Sequence, residues 1–334
     1  MSRLNVLWCL ALALASPVPS AELTLPRDGW ASWQVDAVED APAWCCWKDW
    51  QSRHDVTTPC QLDEDRGSVG NRDDATTDSV RVYARMSGGR IERLGALAAS
   101  CPVETATPIR DLGSLATGLT TDDSARWLVA FLKRSDAGAT HDLQENALAA
   151  LAMHRGDLAQ HALADIARGA SPAEIRKTAV FWLAMLRGAA GAEVATVVMF
   201  NDKDPELRQH AAFAVSRNES PRAVQDLIRL GNTDKNGEVR AQAWFWLAQT
   251  AAAEAEIAIN AALRNDQDDH VREQAIFALS RLPDDRAVHA LIKAAEDKSL
   301  PREQRKRAIF WLAQSESNGA QQYLEKVLEG RGTH

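Results

Sequence analysis

The sequence predicts a mainly α protein: an α-solenoid of about six two-helix repeats, preceded by a small disulfide-stapled β-rich module. Three observations carry that prediction. A decapeptide pattern recurs every 32 or 33 residues through the C-terminal half. Four of the five cysteines lie between residues 45 and 101, and the fifth, Cys9, lies in the N-terminal apolar run. The stretch between them alternates apolar and polar residues and is punctuated by glycine. At 334 residues with a net charge of −8, the chain has ample core and the wrong sign for nucleic acid or an anionic membrane surface.

Residues 1–20 read as a secretory signal peptide. Arg3 supplies the positive start, Val6–Ala15 is an apolar run of ten, and Val18-Pro19-Ser20 fits a small-x-small cleavage site. Ten residues are too few to cross roughly 30 Å of hydrocarbon as a helix, so no membrane anchor is expected after cleavage. The expected location is outside the cytoplasm, in the periplasm.

The β-rich module is expected over 21–118. Val80, Val82, Ala84 and Met86 alternate with polar residues, and Gly88-Gly89 supplies the positive φ of a tight hairpin before Ile91–Leu94. Asp63–Asp78 reads as a long polar surface loop; the closing glutamate of a calcium loop is missing. With Cys9 removed, Cys45, Cys46, Cys60 and Cys101 form an even set in an exported chain, which points to two disulfides. A bond between neighbours Cys45 and Cys46 is strained. Two pairings remain open: 45–60 with 46–101, or 45–101 with 46–60.

A capping and joining helix is expected over 119–137, from Thr120 and the apolar pattern ending at Leu132. The solenoid follows over 138–334. IRKTAVFWLA, LRQHAAFAVS, VRAQAWFWLA, VREQAIFALS and QRKRAIFWLA align without gaps on Arg176, Arg208, Arg240, Arg272 and Arg305, with a degenerate copy at Gln144. In each, the apolar residues three, four and seven places after the arginine share one helix face. A second apolar helix follows a short break, and neither helix buries its face alone, so the units must stack. Asn201-Asp202, Asn265-Asp266, Pro205 and Pro301 mark the junctions and cap the next helix.

The eleven tryptophans, beside two tyrosines, sort by position. Six residues after the arginine, Trp182, Trp246 and Trp311 alternate with Ala150, Ala214 and Ala278, so the full period is a pair of repeats. The expectation is that each Trp fills space beside the alanine of the neighbouring repeat; the rival reading is an aromatic ladder for a ligand. The arginines are expected to form surface ion pairs with nearby Asp204, Glu206, Glu238, Asp268 and Asp269, each worth 0–1 kcal/mol.

Val271-Arg272-Glu273-Gln274-Ala275-Ile276-Phe277-Ala278-Leu279 resembles the HEAT repeats, in particular the short bacterial kind first described in phycobilisome lyases. The likeness covers residues 140–330. The wider arrangement is similar to exported bacterial HEAT-repeat proteins with a cysteine-containing N-terminal module. The resemblance implies binding of a protein or peptide along a curved face lined by the second helices. HEAT-type di-iron hydroxylases carry His-Glu pairs, and no histidine here is followed by glutamate. No nucleotide-binding, hydrolase or zinc-protease motif occurs, and residues 140–334 hold 24 Lys and Arg against 27 Asp and Glu. The expected function is therefore an exported protein-binding or scaffold protein, with no catalytic, cofactor or metal residues assigned. The alternative is an enzyme or accessory lyase with a site where the β module meets the solenoid.

Overall fold

The computed structural model describes residues 23–47, 59–64, 68–114, 117–134, 140–218, 220–250 and 252–330. The signal peptide expected over 1–20 lies outside the described residues. The N-terminal module is built on a four-stranded sheet: β1 (Gly29–Asp36), β5 (Ser79–Ser87), β6 (Arg90–Ala98) and β8 (Ile109–Asp111), in the order β6-β5-β1-β8. The β5–β6 hairpin turns on Gly88 and Gly89, whose φ angles of 57° and 80° favour a residue without a Cβ. Two ribbons complete the module: β2 (Pro42–Trp47) with β4 (Ser68–Thr76), and β3 (Cys60–Gln61) with β7 (Val103–Glu104).

Strand β4 corrects the loop expected over Asp63–Asp78. Its sequence, SVGNRDDAT, has no apolar alternation to betray it. It is a strand because its backbone pairs with β2, from Ser68 opposite Trp47 to Thr76 opposite Pro42. Asp63 is not a free loop carboxylate either. It accepts hydrogen bonds from the Trp30 indole and the Ala106 backbone and pairs with Arg85, and these partners hold its carboxyl below the usual range.

Alternation along the central strands gives the sheet two buried faces. Trp33, Val35, Val80, Val82 and Ala84 join the helical core. Trp30, Tyr83 and Leu97 turn the other way and cover Cys60 and Cys101. The disulfides are Cys45–Cys101 and Cys46–Cys60, with Cα atoms 5.4 and 5.3 Å apart. This decides between the two pairings: the module closes a second small core on its sulfurs, with Trp30 as its one tryptophan among the described residues.

Helix α1 (Thr121–Lys133) is capped reciprocally: the Thr120 hydroxyl accepts from the Asp123 N–H, and the Asp123 carboxylate accepts from the Thr120 N–H. Among the described residues, six helix pairs follow. They are α2 (His141–Met153) with α3 (Asp157–Arg168), α4 (Ala173–Leu186) with α5 (Gly188–Asn201), and α6 (Pro205–Ser216) with α7 (Ala223–Thr233). Then come α8 (Gly237–Gln249) with α9 (Ala253–Asn265), α10 (Asp269–Leu279) with α11 (Asp284–Glu296), and α12 (Arg302–Ala313) with α13 (Asn318–Leu328). The decapeptide forms the first helix of each pair.

First helices pack on their neighbours along much of their length, whereas second helices touch theirs sparsely. Alanines 147, 179, 211, 243, 275 and 308 make the close approach possible; all six are fully buried. A stack that is tighter on one side curves toward that side. The inner face is therefore lined by the first helices, not by the second helices that the HEAT resemblance implied. The cause is the small residue three places after each arginine.

The β module and solenoid share one core, and backbone hydrogen bonds join them. Val38 N–H donates to the Met153 carbonyl at 2.8 Å, and Arg155 N–H donates to the Asp36 carbonyl at 3.0 Å, so the end of β1 runs alongside the end of α2. A buried polar relay spans the same seam. The Trp33 indole donates to Ser124 Oγ at 2.7 Å, Ser124 Oγ lies 2.7 Å from His154 Nε2, and His154 Nδ1 lies 2.7 Å from the Ala150 carbonyl. A carbonyl only accepts, so Nδ1 carries the proton and Nε2 accepts from the serine. Burial, with the Arg187 charge nearby, lowers the His154 pKa to about 4 and keeps the ring neutral.

Candidate functional site: an aromatic row on the inner face

Each of the five first helices from α4 onward places a phenylalanine five residues after its arginine: Phe181, Phe213, Phe245, Phe277 and Phe310. A tryptophan follows in every second repeat. These rings project from the inner face and touch in one line. Phe181 stacks on Phe213 with centroids 5.9 Å apart, and Phe245 on Phe277 at 5.7 Å. Trp246 meets Phe213 at 4.7 Å between these stacks, and Trp311 meets Phe277 at 5.0 Å beyond the second. Within a helix, Trp182, Trp246 and Trp311 lie 4.7 to 5.2 Å from the preceding phenylalanine.

The two-repeat period thus has a geometric meaning. Contacts between neighbouring repeats alternate between a Phe–Phe stack and a Phe–Trp contact. Trp182, Trp246 and Trp311 are only half-buried, and Phe310 is exposed, whereas Ala150, Ala214 and Ala278 are fully buried. Trp182, Trp246 and Trp311 pack against the hydrophobic core and at the same time touch the phenylalanines of the row, so they are shared between core and surface. The residue two places earlier points further inward: in α8 it is Trp244, which is fully buried in the core. Trp244 fits because Gly231 faces it; a Cβ there would lie 2.5 Å from the indole ring.

The first repeat lacks the phenylalanine and has Ala149 instead. Trp44 from β2 supplies the missing ring, 5.1 Å from Trp182. The row therefore begins in the β module. The lone alanine was the sequence signal for this, but nothing in the sequence names its replacement.

Two shallow grooves of about 450 Å³ flank the row. One lies between α8 and α10, with Gln242, Gln249, Gln274 and Phe277 in its lining; the other crosses α4, α6 and α8, with Gln209, Phe213 and Trp246. Charges here are largely paired. His270 Nε2 lies 3.0 Å from Glu238, Lys177 reaches Glu174 and Glu206 at 2.9 and 3.3 Å, and the Arg281 guanidinium sits 4.8 Å over the Phe277 ring. Burial depresses the His210 pKa, which favours its neutral form. The face thus presents rings and amides with little net field, a surface suited to apolar side chains and peptide groups.

The recurrent arginines do not face this surface. Arg208 reaches Asp234 through two hydrogen bonds of 2.7 and 2.9 Å and donates to the Asp202 carbonyl at 2.9 Å. Arg240 repeats the pattern with Asp266 and the Asp234 carbonyl, and Arg176 pairs with Asp202. The partner is 26 residues ahead, at the end of the same repeat's second helix. Of the expected local partners, Asp269 pairs with Arg272, and Asp268 lies 3.9 Å from Arg240. Arg272 and Arg305 keep only the carbonyl half of the pattern, donating to Asp266 and Leu300; position 298 is lysine, so Arg272 has no aspartate 26 residues ahead.

These aspartates do two jobs. Asp202, Asp234 and Asp266 also accept the N–H of residue 204, 236 and 268, which cap the next helix. Burial works against ionisation of all three. The arginine and backbone hydrogen bonds outweigh it and hold their carboxyls below the ordinary value.

A cleft of about 560 Å³ opens where the β module meets the solenoid. Its walls include Trp30, Trp44, Tyr83 and Trp182, with Glu64, Glu92 and Asp142 as carboxylates. Among the described residues, two clusters have metal-ligand chemistry: Cys45/Cys60/Cys101, whose sulfurs are engaged in disulfides, and His141/Asp142/Glu145, in which the first two are exposed and Glu145 is half-buried.

HEAT repeats match the chain over residues 159–248 and 256–331. No curated protein sequence matches it. Among solved structures, human deoxyhypusine hydroxylase in complex with glycerol is similar at 22% identity, over 56% of this chain and 69% of that one, with a TM-score of 0.33. The Escherichia coli protein YibA is similar at 19% identity, over 62% and 76%, with a TM-score of 0.37. The CpcE–CpcF complex of phycocyanin lyase from Nostoc is similar at 19% identity, over 56% and 75%, with a TM-score of 0.33. Repeat register, helix pairing and the matched spans agree: the chain is a HEAT-repeat solenoid preceded by a small β module with two disulfides.

Proposed function

We propose that this chain is an exported binding or scaffold protein that holds an extended polypeptide along the inner face of its solenoid. The observation that carries the reading is the continuous, half-exposed aromatic row from Trp44 to Phe310. Rings of this kind supply large contact area at small entropic cost and are enriched at protein interfaces. The glutamines beside them offer both donors and acceptors to a peptide backbone. Two disulfides support export, as does the apolar start of the chain. No helix among the described residues is long and apolar enough to cross a membrane.

The test is selection of random dodecapeptides displayed on phage, followed by affinity measurement on the wild type and on Phe213→Ala/Phe245→Ala/Phe277→Ala. The reading expects peptides rich in apolar side chains and at least about a tenfold loss in the variant. Equal affinity would count against it, provided circular dichroism shows the variant folded. The junction cleft favours a second reading, a small-ligand or catalytic site, because its volume and mixed ring–carboxylate walls suit one. Glu92→Gln with Asp142→Asn separates the two, since it alters the cleft and leaves every ring of the row in place: loss of peptide affinity in this variant would favour the cleft, and unchanged affinity the row.

A further inference from the structure

The four cysteines are arranged in two unequal tiers. Cys60 and Cys101 are buried under Trp30, Tyr83 and Leu97. Their strands are joined independently of any sulfur: Cys60 N–H donates to the Pro102 carbonyl at 2.8 Å, and Leu62 N–H to the Glu104 carbonyl at 3.1 Å. Cys45 and Cys46, neighbours on β2, are half-buried, and Cys46 lines the junction cleft. Each disulfide joins one tier to the other. The two buried sulfurs, which are not bonded to each other, lie only 3.4 Å apart.

We infer that this cluster is a redox-active centre that exchanges disulfides internally and reacts with dithiol or disulfide partners through the cleft. The first step is attack on Cys46 Sγ, the accessible sulfur of its bond, by a thiolate of an external dithiol. A mixed disulfide forms, and the Cys46–Cys60 bond breaks with its electron pair left on Cys60. That thiolate is generated within 3.4 Å of Cys101 Sγ and accepts a hydrogen bond from the Cys46 N–H, which supports its charge. It attacks Cys101, forming Cys60–Cys101 and expelling Cys45 as thiolate. The second thiol of the dithiol then displaces Cys46 from the mixed disulfide. The balance is two electrons and two protons: dithiol plus the two-disulfide protein gives a cyclic disulfide plus protein carrying Cys60–Cys101 and thiols on Cys45 and Cys46.

The structure favours this product over simple loss of Cys46–Cys60. Exchange moves the remaining disulfide into the buried tier, where the backbone already holds both partners, and leaves both thiols in the accessible tier. The resulting vicinal dithiol can itself reduce a disulfide by the reverse sequence.

The experiment titrates the folded, full-length protein with limiting dithiothreitol, quenches in acid, alkylates free thiols and maps peptides by mass spectrometry. The expected two-electron species carries alkyl groups on Cys45 and Cys46 and a Cys60–Cys101 linked peptide. A two-electron species with Cys45–Cys101 intact and alkylated Cys46 and Cys60 would overturn the inference. So would one with Cys46–Cys60 intact, or loss of both disulfides together with no intermediate.

Discussion

Replacing Asp234 with alanine removes the carboxylate that holds Arg208 in place. The Arg208 side chain is 3% exposed and that of Asp234 5%, so water cannot take over the lost partner. Two charge-assisted hydrogen bonds disappear, and the guanidinium keeps the Asp202 carbonyl bond and a longer one to the Lys203 carbonyl. The acceptor for the Asn236 N–H at the next helix cap also goes. Stranding one member of a buried ion pair costs about 3–5 kcal/mol, far above the 0–1 kcal/mol of an exposed pair. Because repeats are coupled mainly to their neighbours, the loss should split urea unfolding into two transitions at the α6–α8 boundary. Urea titration followed by circular dichroism gives the free energy, and hydrogen exchange locates the break. Arg208→Met/Asp234→Leu removes both charges and should recover more than half of the loss. A cost below about 1 kcal/mol for Asp234→Ala, or a double variant no better than the single, would refute the buried-staple reasoning. Asp269→Ala, which touches an exposed pair with Arg272, should stay within about 0.5 kcal/mol.

Three further outcomes follow from the same geometry. His154 has a folded pKa of about 4 against about 6.5 when unfolded, so its contribution is complete above pH 6.5 and is lost as pH falls from 6.5 to about 4. That amounts to roughly 3 kcal/mol, and His154→Gln should flatten the pH–stability curve in this window, measured by chemical denaturation at stepped pH. Gly231→Ala should destabilise by about 1–3 kcal/mol despite the better helix propensity of alanine, because its Cβ meets the Trp244 ring, and Trp244→Phe should restore part of the loss in thermal melts. Trp44→Ala should lower the melting temperature only modestly, since the ring is half-buried, while changing the fluorescence of Trp182, its contact partner.

Much of the fold was legible because its signals are local or periodic. The 32-residue register locates the first helices, Gly88-Gly89 marks the hairpin, and Thr120 marks the start of α1. The features that escaped are contacts between distant segments. Strand β4 exists through pairing with β2, which an alternation test does not detect. The disulfide pairing depends on where β2, β3 and β7 meet. The arginine partners show the limit most clearly. Asp202, Asp234 and Asp266 recur at the repeat period, yet spacing along one helix favours nearby acidic residues, because ion pairs within a helix span three or four residues. Helix packing brings position 26 back to the arginine, and the resulting pair is buried rather than superficial. The phenylalanines recur five places after each arginine in the sequence, but that they form one row, and on which side of the stack, required the packing of first helix on first helix.

Hydroxyl-radical footprinting of the protein, alone and with a selected peptide bound, tests the central claim most directly. The inner face carries Trp246, Phe277 and Phe310; the second helices expose Val197 and Ile257, 41% and 75% accessible. The account predicts reduced oxidation at the three rings and no change at Val197 and Ile257. Protection of Val197 and Ile257 with the rings unchanged would place the partner on the opposite face and contradict it.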